Sequence, residues 1–386
     1  MSPRRAVLLL AGALAACRAA AAPAPDPPGL RAAASLLDSV IAAGVAPGAV
    51  LGVSLAGCHS YHGAGRLGLD DAARPDSTTI YDLASLTKVI GLTTAAMAAV
   101  DRGVLALDAP VARYVPAFHD TAVTIRHLLT HSSGLPAWRP LHQEAPDRPA
   151  ALALVDATPL AATPGDSFVY SDLGAILLTQ AVEGTLGARI DTLVTRLLTT
   201  PLGLHETRYL PPASWRRRIA PTENDPWRGR VLRGEVHDEN AARLEGVSGH
   251  AGLFSSARDL LRIGDWLLSG LGTVWDSACA GPDLPPGPTL LATFIRRQEL
   301  PPGSSRALGW DTPSGVSSAG TLMARTSFGH TGFTGTSIWI DPTRRLVVVL
   351  LANRVHPTRD NPRFGPVRGQ LADQVVRGFS LDSLTR

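Results

Sequence analysis

The chain has 386 residues, of which 45% are hydrophobic and 18% charged, and its formal net charge is +3. These values exclude a disordered or collagen-like chain and fit one large globular domain or two. If the start of the chain is cleaved with Arg4 and Arg5, the 36 basic residues fall to 34, against 33 acidic ones. That balance gives no support for a nucleic-acid-binding surface, and no nucleic-acid partner is expected.

The first residues form a predicted export signal. A basic start is followed by an apolar run, residues 6–16, which is too short to span a bilayer as a helix and which meets Cys17 in "LAAC". The pattern resembles a bacterial lipobox, which predicts a signal peptide over residues 1–16 and acylation of Cys17. An ordinary secretory signal cut near Ala22 is the alternative. Residues 17–29 are rich in Ala and Pro and predict a tether. We therefore expect a cell-envelope lipoprotein, exported to the periplasmic side of a membrane and held there by its lipid.

Hydrophobic periodicity divides the remaining chain, residues 30–386, into three regions. The first has a predicted helix over 30–43, a buried strand over 48–56 and a second strand after the turn at Gly57 and Cys58. The middle is rich in loops, with helices predicted over 86–100, 125–130, 171–183, 190–199 and 257–268. Strands return over 307–310, 327–340 and 344–354, and a last helix runs over about 366–379.

This order predicts an α+β fold with one mixed, antiparallel sheet built from both chain ends, flanked by helices and interrupted by a helical subdomain. We place the sheet part at about residues 30–85 and 300–386, and the helical part at about 86–299. Residues 63–68 spell G-x-G-x-x-G, the pattern of a dinucleotide site. No helix is predicted after it, so a glycine-rich hairpin explains the segment better.

The remaining cysteines and the metal-binding motifs give little information. Cys58 and Cys279 could form a disulfide in an exported protein or remain buried thiols, and their spacing does not decide between the two. No CxxC or HExxH motif is present, so we expect neither a metal nor another cofactor.

The most informative feature of the composition is its lysine content, because Lys88 is the single lysine beside 35 arginines. An arginine does not lose its proton in a protein, whereas a buried lysine can. Lys88 follows Ser85 by three residues, which places both side chains on one face of a helix. Burial in an apolar helix predicts a lowered pKa for Lys88 and a neutral amine that takes the proton of Ser85, making it a nucleophile. The alternative is an incidental lysine that extends to water.

Two further segments contain groups suited to proton transfer or substrate binding. "YSD", residues 170–172, precedes a predicted helix, where Tyr170 could relay protons and Ser171 or Asp172 could cap the helix. "FGHTGFTG", residues 328–335, leads into a strand. Its glycines would let a substrate approach the backbone, and His330 titrates near neutral pH. A packing role for His330 is the alternative.

Together, and in this order, the motifs resemble the serine β-lactamase and penicillin-binding-protein superfamily, whose signature is S-x-x-K, then S-D-N, then K-T-G. The class C β-lactamase, esterase and D-aminopeptidase branch is more similar, through "YDLASLTK", "TIRHLLTHSSGLP" and the segment 234–260. The resemblance spans roughly residues 30–379 and implies the β-lactamase/transpeptidase-like fold.

The resemblance also implies a role for each motif residue. Ser85 would be the acylated nucleophile, Lys88 its base, and Tyr170 a partner in proton transfer that protonates the leaving group. The backbone N–H groups of Ser85 and Phe333 would form an oxyanion hole. The strand edge that holds the substrate would be lined by His330, Thr331 and Gly332.

Two positions depart from the family pattern. Asp172 replaces an asparagine, and its charge would raise the pKa of Lys88 or orient the amine. His330 replaces the lysine of K-T-G, which contacts a substrate carboxylate. Both changes favour an esterase or amidase over an efficient β-lactamase. For His237 and His250 we expect roles in structuring their loop rather than in contacting substrate.

The sequence therefore predicts a serine hydrolase that cleaves an ester or amide through an acyl-enzyme at Ser85, without a cofactor. Its substrate would be a small molecule or a peptidoglycan fragment, such as a muropeptide or a D-amino-acid peptide. The alternatives are a catalytically weak protein that binds penicillin or peptidoglycan, and a β-lactamase.

Overall fold

The computed structural model describes residues 28–271 and 287–381. Within these residues the strands are β1 (Gly48–Leu55), β2 (Cys58–Gly65), β3 (Ile80–Asp82), β4 (Arg208–Tyr209), β5 (Asn224–Asp225), β6 (Arg230–Val231), β7 (Leu253–Ser256), β8 (Phe328–Thr331), β9 (Ser337–Asp341) and β10 (Leu346–Ala352). The α-helices are α1 (Arg31–Ala42), α2 (Thr94–Asp101), α3 (Ile125–Leu129), α4 (Leu141–Glu144), α5 (Arg148–Asp156), α6 (Asp172–Leu186), α7 (Ile190–Val194), α8 (Glu239–Arg243), α9 (Ala257–Gly270), α10 (Pro288–Ile295) and α11 (Val367–Gly378). A π-helical segment, Lys88–Thr93, runs directly into α2, and a second, Thr195–Thr199, continues α7. Short 3-10 helices span Val111–Arg113, Ala213–Arg218 and Pro362–Phe364.

The central feature is a five-stranded sheet in the order β2–β1–β10–β9–β8, with antiparallel pairing throughout. Two of its strands come from near the start of the chain and three from near the end, as predicted. β1 and β10 join the two ends, in a register that runs from Ala49 opposite Ala352 to Leu55 opposite Leu346. The predicted α+β fold, with one sheet built from both ends of the chain, is confirmed.

Helices cover both faces of this sheet. Leu51 and Val348 belong to one core, together with side chains of α1 and α11. Val50 and Val347 belong to the other core, which includes α9 and the helical part of the protein. Because successive residues of a strand point to opposite faces, strands that are covered on both sides read as continuous apolar runs.

A smaller sheet, in the order β3–β7–β4, lies within and beside the part predicted as helical. Its strand β3 ends at Asp82, just before Ser85. In the same part α6 is buried among α2, α3, α5 and α7, and its first residue is Asp172. The candidate site residues therefore lie where this part meets β8, which is an edge strand of the large sheet.

Secondary structure departs from prediction in three places. Residues 307–310 are not a strand, because only an isolated bridge joins Arg306 and Asp311 there. The strand predicted over 327–340 is two strands, β8 and β9, separated by a turn. The helix predicted over 86–100 begins with a π-helical segment, a form often found at functional sites. The G-x-G-x-x-G segment ends β2 and opens no helix, as predicted.

Several predictions concern residues outside those described. They are the signal peptide 1–16, lipidation of Cys17, most of the tether 17–29, and pairing with Cys279. None of the helices in residues 28–271 and 287–381 combines the length and hydropathy needed to cross a membrane.

Candidate active site

Ser85 lies in the short connection between β3 and the π-helical segment. Ala84 before it has a φ of 46°, a left-handed conformation that costs a non-glycine residue roughly 1–3 kcal/mol. The buried carboxylate of Asp82 holds this conformation, since it accepts the Ala84 N–H at 2.8 Å and the His237 N–H at 2.6 Å. The backbone around Ser85 is therefore fixed by its surroundings rather than by local preference.

Lys88 is 3% exposed, and its Nζ makes three polar contacts. It donates to Ser85 Oγ at 3.1 Å and to the carbonyl of His250 at 3.0 Å, and it lies 2.7 Å from a carboxylate oxygen of Asp172. An ammonium has three N–H donors and no acceptor, so this arrangement suits the charged form. The predicted pair of Ser85 and Lys88 is thus in direct contact, and Lys88 does not extend to water.

The neutral amine predicted for Lys88 is wrong for this arrangement. Burial lowers the pKa of Lys88, as the apolar helix suggested. However, the charge of Asp172, with a smaller effect from Tyr170, raises it by more, so the pKa lies above its ordinary value. The increase in the pKa of Lys88 that was anticipated from Asp172 is therefore larger than the decrease that was anticipated from burial.

Asp172 reaches Lys88 because α6 begins at this point. Ser171 is the N-cap, where its Oγ accepts the Gly174 N–H at 3.0 Å and donates to the Pro136 carbonyl at 2.7 Å. The predicted capping role is confirmed for Ser171. A carboxylate in the first turn is also favoured by the helix dipole, so Asp172 is compatible with both the helix and the ion pair.

Tyr170 lies between two histidine rings and beside Lys88. Its ring centroid is 4.5 Å from that of His131 and 5.7 Å from that of His330, and Lys88 Nζ is 4.9 Å from it. The Tyr170 hydroxyl is buried, and its hydrogen bond with Lys88 contributes to raising the pKa of that amine. Tyr170 is therefore held by its ring, with its hydroxyl directed to the amine that contacts Ser85.

His330 lies at the end of β8 and is 4% exposed. Its Nδ1 donates to the Thr331 carbonyl at 2.8 Å, and its Nε2 is buried without a partner among the described residues. Burial, together with the charges of Arg306 and Lys88, places the pKa of His330 well below its ordinary value. The ring is therefore neutral at neutral pH.

Gly332 follows at the point where β8 passes closest to the segment that carries Ser85. A Cβ atom at Gly332 would come within 2.3 Å of the Leu83 carbonyl, so only glycine fits. The same carbonyl accepts the Thr336 hydroxyl at 3.0 Å, and the Asp82 carbonyl accepts the Thr334 hydroxyl at 2.7 Å. These contacts fasten the edge of the sheet to the connection that carries the nucleophile.

Two cavities meet at Ser85, and Tyr170 and Phe333 line both of them. The first, of about 510 Å³, is here called the basic arm; its charged lining residues include Arg306, Asp311, Arg354 and Arg368, and it also contains His330, Thr331 and Gly332. The second, of about 240 Å³, is here called the loop arm; its lining residues include Trp138, Asp172, His237, Asp238, His250 and Arg359. The predicted catalytic and substrate-binding residues are therefore brought together: all except Lys88 line these cavities, and Lys88 contacts Ser85.

Arg306 is the most prominent cleft residue that the sequence did not indicate. Its Nε and Nη1 are buried without a hydrogen-bond partner among the described residues, and the nearest oxygen of Asp311 is 3.9 Å from Nε. Its guanidinium lies over the rings of Phe168 and Tyr170, at 5.1 and 5.4 Å. A buried guanidinium with unpaired donors is stabilised by an anion in the cavity. With 35 arginines in the chain, the residue type alone carried no signal.

His237 and His250 line the loop arm, but their rings are bonded within the protein. His237 Nε2 contacts Glu223 at 2.9 Å. His250 contacts Asp238 through Nε2 at 2.9 Å and Ser248 through Nδ1 at 2.7 Å. These contacts agree with the expected loop-structuring roles.

Comparison with known proteins identifies the family to which this cleft belongs. The sequence model of the Beta-lactamase family matches residues 36–372. The chain belongs to the Beta-lactamase family. Relatives named "Putative D-alanyl-D-alanine carboxypeptidase" occur in Escherichia coli. The K12 protein is 30% identical over 331 residues, which cover 77% of this chain and 74% of that protein. The O157:H7 protein is 31% identical over 321 residues, which cover 75% and 72%.

Solved structures of Beta-lactamase-like proteins share the fold. A class C beta-lactamase from Rhodobacter sphaeroides is 25% identical, with a TM-score of 0.68 over 91% of this chain and 99% of that one. A penicillin-binding protein homologue from Caulobacter crescentus is 20% identical, with a TM-score of 0.72 over 92% and 98%. The β-lactamase/transpeptidase-like fold and the serine hydrolase class are thereby confirmed.

Within the Beta-lactamase family pattern, the two substituted motif positions have different consequences here. Asp172 places a carboxylate against Lys88 where the pattern has an amide. His330 places a neutral ring where the pattern has a lysine, and Arg306 contributes a positive charge to the same cavity. The cavity that Ser85 lines in this Beta-lactamase family member thus keeps a cation, supplied from a different segment of the chain.

Proposed function

We propose that this Beta-lactamase family hydrolase cleaves an amide or ester whose leaving group carries a carboxylate, through an acyl-enzyme at Ser85. The observation that carries the proposal is the contact between Ser85 Oγ and Lys88 Nζ at the junction with the basic arm. In that arm the Nε and Nη1 of Arg306 have no hydrogen-bond partner among the described residues.

In the first step Ser85 Oγ attacks the substrate carbonyl, and the hydroxyl proton passes to the cluster of Lys88, Tyr170 and Asp172. Because Lys88 is already protonated, it gives a proton to the Asp172 carboxylate as it takes the proton of Ser85. These groups exchange protons as one coupled system. The backbone N–H groups of Ser85 and Phe333 donate to the oxyanion that forms. Within the described residues neither of these N–H groups donates a hydrogen bond, so both are available.

In the second step the bond to the leaving group breaks, and the cluster returns the proton to the departing nitrogen or oxygen through the Tyr170 hydroxyl. Water then attacks the Ser85 ester, gives its proton to the same cluster, and releases the acyl group as an acid. Ser85 regains its proton from the cluster, so the site returns to its starting state.

The basic arm supports a substrate with a terminal carboxylate. A guanidinium binds a carboxylate through two parallel N–H donors, and the unpaired Nε and Nη1 of Arg306 provide donors for this contact. His330, Thr331 and Gly332 line the edge along which the acyl part would lie. The names of the Escherichia coli relatives support a peptide that ends in a D-amino acid, as muropeptides do.

The test compares turnover of a peptide ending in D-alanyl-D-alanine with that of the same peptide bearing a C-terminal amide. We expect kcat/KM to be at least tenfold higher for the free carboxylate, while p-nitrophenyl acetate is cleaved slowly. Equal rates on both peptides, or rapid cleavage of nitrocefin with no peptide turnover, would contradict the proposed substrate. Labelling of Ser85 by penicillin without turnover of any substrate would favour a binding protein.

We also propose that the chain is a cell-envelope lipoprotein anchored through Cys17 on the periplasmic side of a membrane. The apolar run over residues 6–16 and the position of Cys17 support this proposal. The variant Cys17→Ser should move the protein from the membrane fraction to the soluble fraction. Retention of this variant in the membrane would refute anchoring through Cys17.

A further inference from the structure

The turn between β8 and β9 carries Phe333, and it is closed by hydrogen bonds within the backbone. The Gly332 N–H donates to the Thr336 carbonyl at 2.8 Å, and the Gly335 N–H donates to the Gly332 carbonyl at 3.2 Å. The carbonyls of Gly332 and Thr336 therefore mark the two ends of the turn.

Arg368, from the first turn of α11, bonds to both of these carbonyls. Its Nη2 donates to the Gly332 carbonyl at 2.8 Å, and its Nε donates to the Thr336 carbonyl at 3.3 Å. The guanidinium also lies over the ring of Phe364, at 5.2 Å from the centroid, and Phe364 is fully buried. The planar fork of an arginine is thus fixed on one side by a ring and on the other by the turn.

The bond to Gly332 matters because of the peptide group to which that carbonyl belongs. The carbonyl of Gly332 and the N–H of Phe333 are the two polar ends of one planar amide. A hydrogen bond accepted by the carbonyl polarises the amide and strengthens its N–H as a donor, and a cationic donor has a larger effect than a neutral one. The N–H of Phe333 is one of the two donors that the proposed mechanism assigns to the oxyanion.

We infer that Arg368 is a positioning residue for the oxyanion hole. It holds the peptide between Gly332 and Phe333 in place and increases the hydrogen-bonding strength of the Phe333 N–H toward the reacting oxygen. This inference rests on the acyl-enzyme mechanism proposed above. It assigns to an arginine of α11 an effect on the chemical step, in addition to any contribution of its charge to the basic arm.

Two other arginines in the same part of the chain make useful comparisons. Arg354 Nε donates to the Phe333 carbonyl at 2.6 Å, which belongs to the next amide and not to the one that supplies the Phe333 N–H. Arg363 donates to the carbonyls of Ala43 and Gly44, at 3.2 and 2.6 Å, and lines neither of the two cavities that contain Ser85. Arg363 is therefore a matched control that also bonds backbone carbonyls.

The test uses p-nitrophenyl acetate, whose acetyl group and neutral leaving group have no carboxylate to bind. For Arg368→Gln we expect the rate of Ser85 acylation to fall by about three- to tenfold with little change in KM, because a direct oxyanion donor is weakened and not removed. Arg368→Lys should recover part of the rate through a single charged donor, and Arg363→Gln should match the wild type. Thermal unfolding of each variant establishes that it is folded.

A spectroscopic measurement separates polarisation from a general structural effect. The ester carbonyl of the acetyl-enzyme, labelled with ¹³C and followed by rapid-mixing infrared spectroscopy, should absorb at higher frequency in Arg368→Gln than in the wild type, because the oxyanion hole pulls less on it. An unchanged frequency together with an unchanged acylation rate in a folded variant overturns the inference. A loss confined to carboxylate-bearing substrates also overturns it and assigns Arg368 to anion binding. Absence of acylation in the wild type would instead refute the proposed mechanism itself.

Discussion

The two arms of the cleft differ in how their polar groups are satisfied. In the basic arm the Nε and Nη1 of Arg306 and the Nε2 of His330 are buried without partners among the described residues. In the loop arm His237 and Arg359 both bond Glu223, at 2.9 and 2.7 Å, and His250 bonds Asp238. Both arms contain the nucleophile Ser85, so we attribute the different bonding of their polar groups to the role of each arm and not to its position.

Buried guanidinium donors without partners are costly, whereas paired ones are neutral or mildly stabilising. The Nε and Nη1 of Arg306 in the basic arm therefore remain unpaired until a ligand with acceptor oxygens enters, while His237, His250 and Arg359 of the loop arm are already bonded within the fold. We therefore propose that the basic arm recognises charge and that the loop arm contributes shape and support. Each of the following predictions tests this division.

The largest effect is expected for Ser85→Ala, which removes the atom at which the two arms meet. Turnover should fall by roughly 10⁴-fold or more, and covalent labelling by a fluorophosphonate should disappear. The basic arm is unchanged by this substitution, so a peptide with a free carboxylate should still bind in calorimetry. Ser39→Ala, in α1 and exposed, should label as the wild type does. Labelling that survives in Ser85→Ala would place the nucleophile elsewhere.

A comparison of Arg306→Met with Arg359→Met tests the arms against each other. Loss of Arg306 removes charge-assisted hydrogen bonds, so kcat/KM for the carboxylate peptide should fall by about 10- to 100-fold. Cleavage of p-nitrophenyl acetate by this variant should change by less than about threefold, because that ester has no anion to bind.

Arg359→Met should show the opposite balance. Its main effect should be a lower melting temperature, because Glu223 and Glu239 lose the guanidinium that bonds both of them. Similar losses of carboxylate-peptide turnover in both variants would end the distinction between a binding arm and a supporting arm.

Asp172→Asn tests the ion pair with Lys88 through the pH dependence of the reaction. In the wild type the carboxylate holds the pKa of Lys88 above its ordinary value. With asparagine the smaller effect of Tyr170 still raises the pKa, but burial has the largest effect and lowers it. The rising limb of kcat/KM against pH, measured with p-nitrophenyl acetate, should therefore move to lower pH by about one unit or more. A profile that stays in place or moves to higher pH would contradict this account of the cluster.

The smallest effect is expected in the loop arm, where Glu223 links pH to stability. Burial alone would raise the pKa of Glu223, but hydrogen bonds from His237 and Arg359 lower it to about 2. A lowered carboxyl pKa stabilises the fold above the unfolded-state value near 4.5, and this stabilisation is lost as the pH falls toward 2.

Glu223→Gln should therefore lower the free energy of unfolding at pH 7 by on the order of 2 kcal/mol. The melting temperature of this variant should also depend less on pH between about 4.5 and 2 than that of the wild type. Equal pH dependence of the two proteins would show that the carboxylate of Glu223 does not support the loop arm.

The parts of the site that the sequence revealed are those in which the deciding contact is local. Ser85 and Lys88 are three residues apart, and Ser171 caps the helix that it precedes, so spacing and residue type were sufficient. The buried runs of β1 and β10 likewise identified two strands of the sheet. The strand predicted over residues 307–310 was wrong. Ala307, Leu308 and Trp310 are buried, as residues of a strand would be, but they pair with no neighbouring strand among the described residues.

The parts that the sequence did not reveal depend on partners far away in the chain. An effect of Asp172 on the pKa of Lys88 was expected from the family resemblance, but only the contact in the folded chain shows that this effect exceeds that of burial. Arg306 and Arg368 are two of 35 arginines, so residue type did not single them out. Folding buries Nε and Nη1 of Arg306 without partners among the described residues, and it places Arg368 against the Gly332 carbonyl. The apolar helix correctly predicted that Lys88 is buried. It carries no information about the charge of Asp172, which opposes the effect of burial on the pKa of Lys88.

The hydrogen bond from Thr334 to the carbonyl of Asp82 joins residues 252 positions apart, next to the nucleophile. During synthesis Ser85 leaves the ribosome long before β8 to β10 exist, so a partly made chain has the serine but neither the Phe333 N–H nor the edge that aligns a substrate. The active site is consequently inactive until almost the whole polypeptide has left the ribosome and the five-stranded sheet has formed. Truncation before β8 should yield a chain without hydrolytic activity, and proteolytic removal of the last strands should inactivate the enzyme.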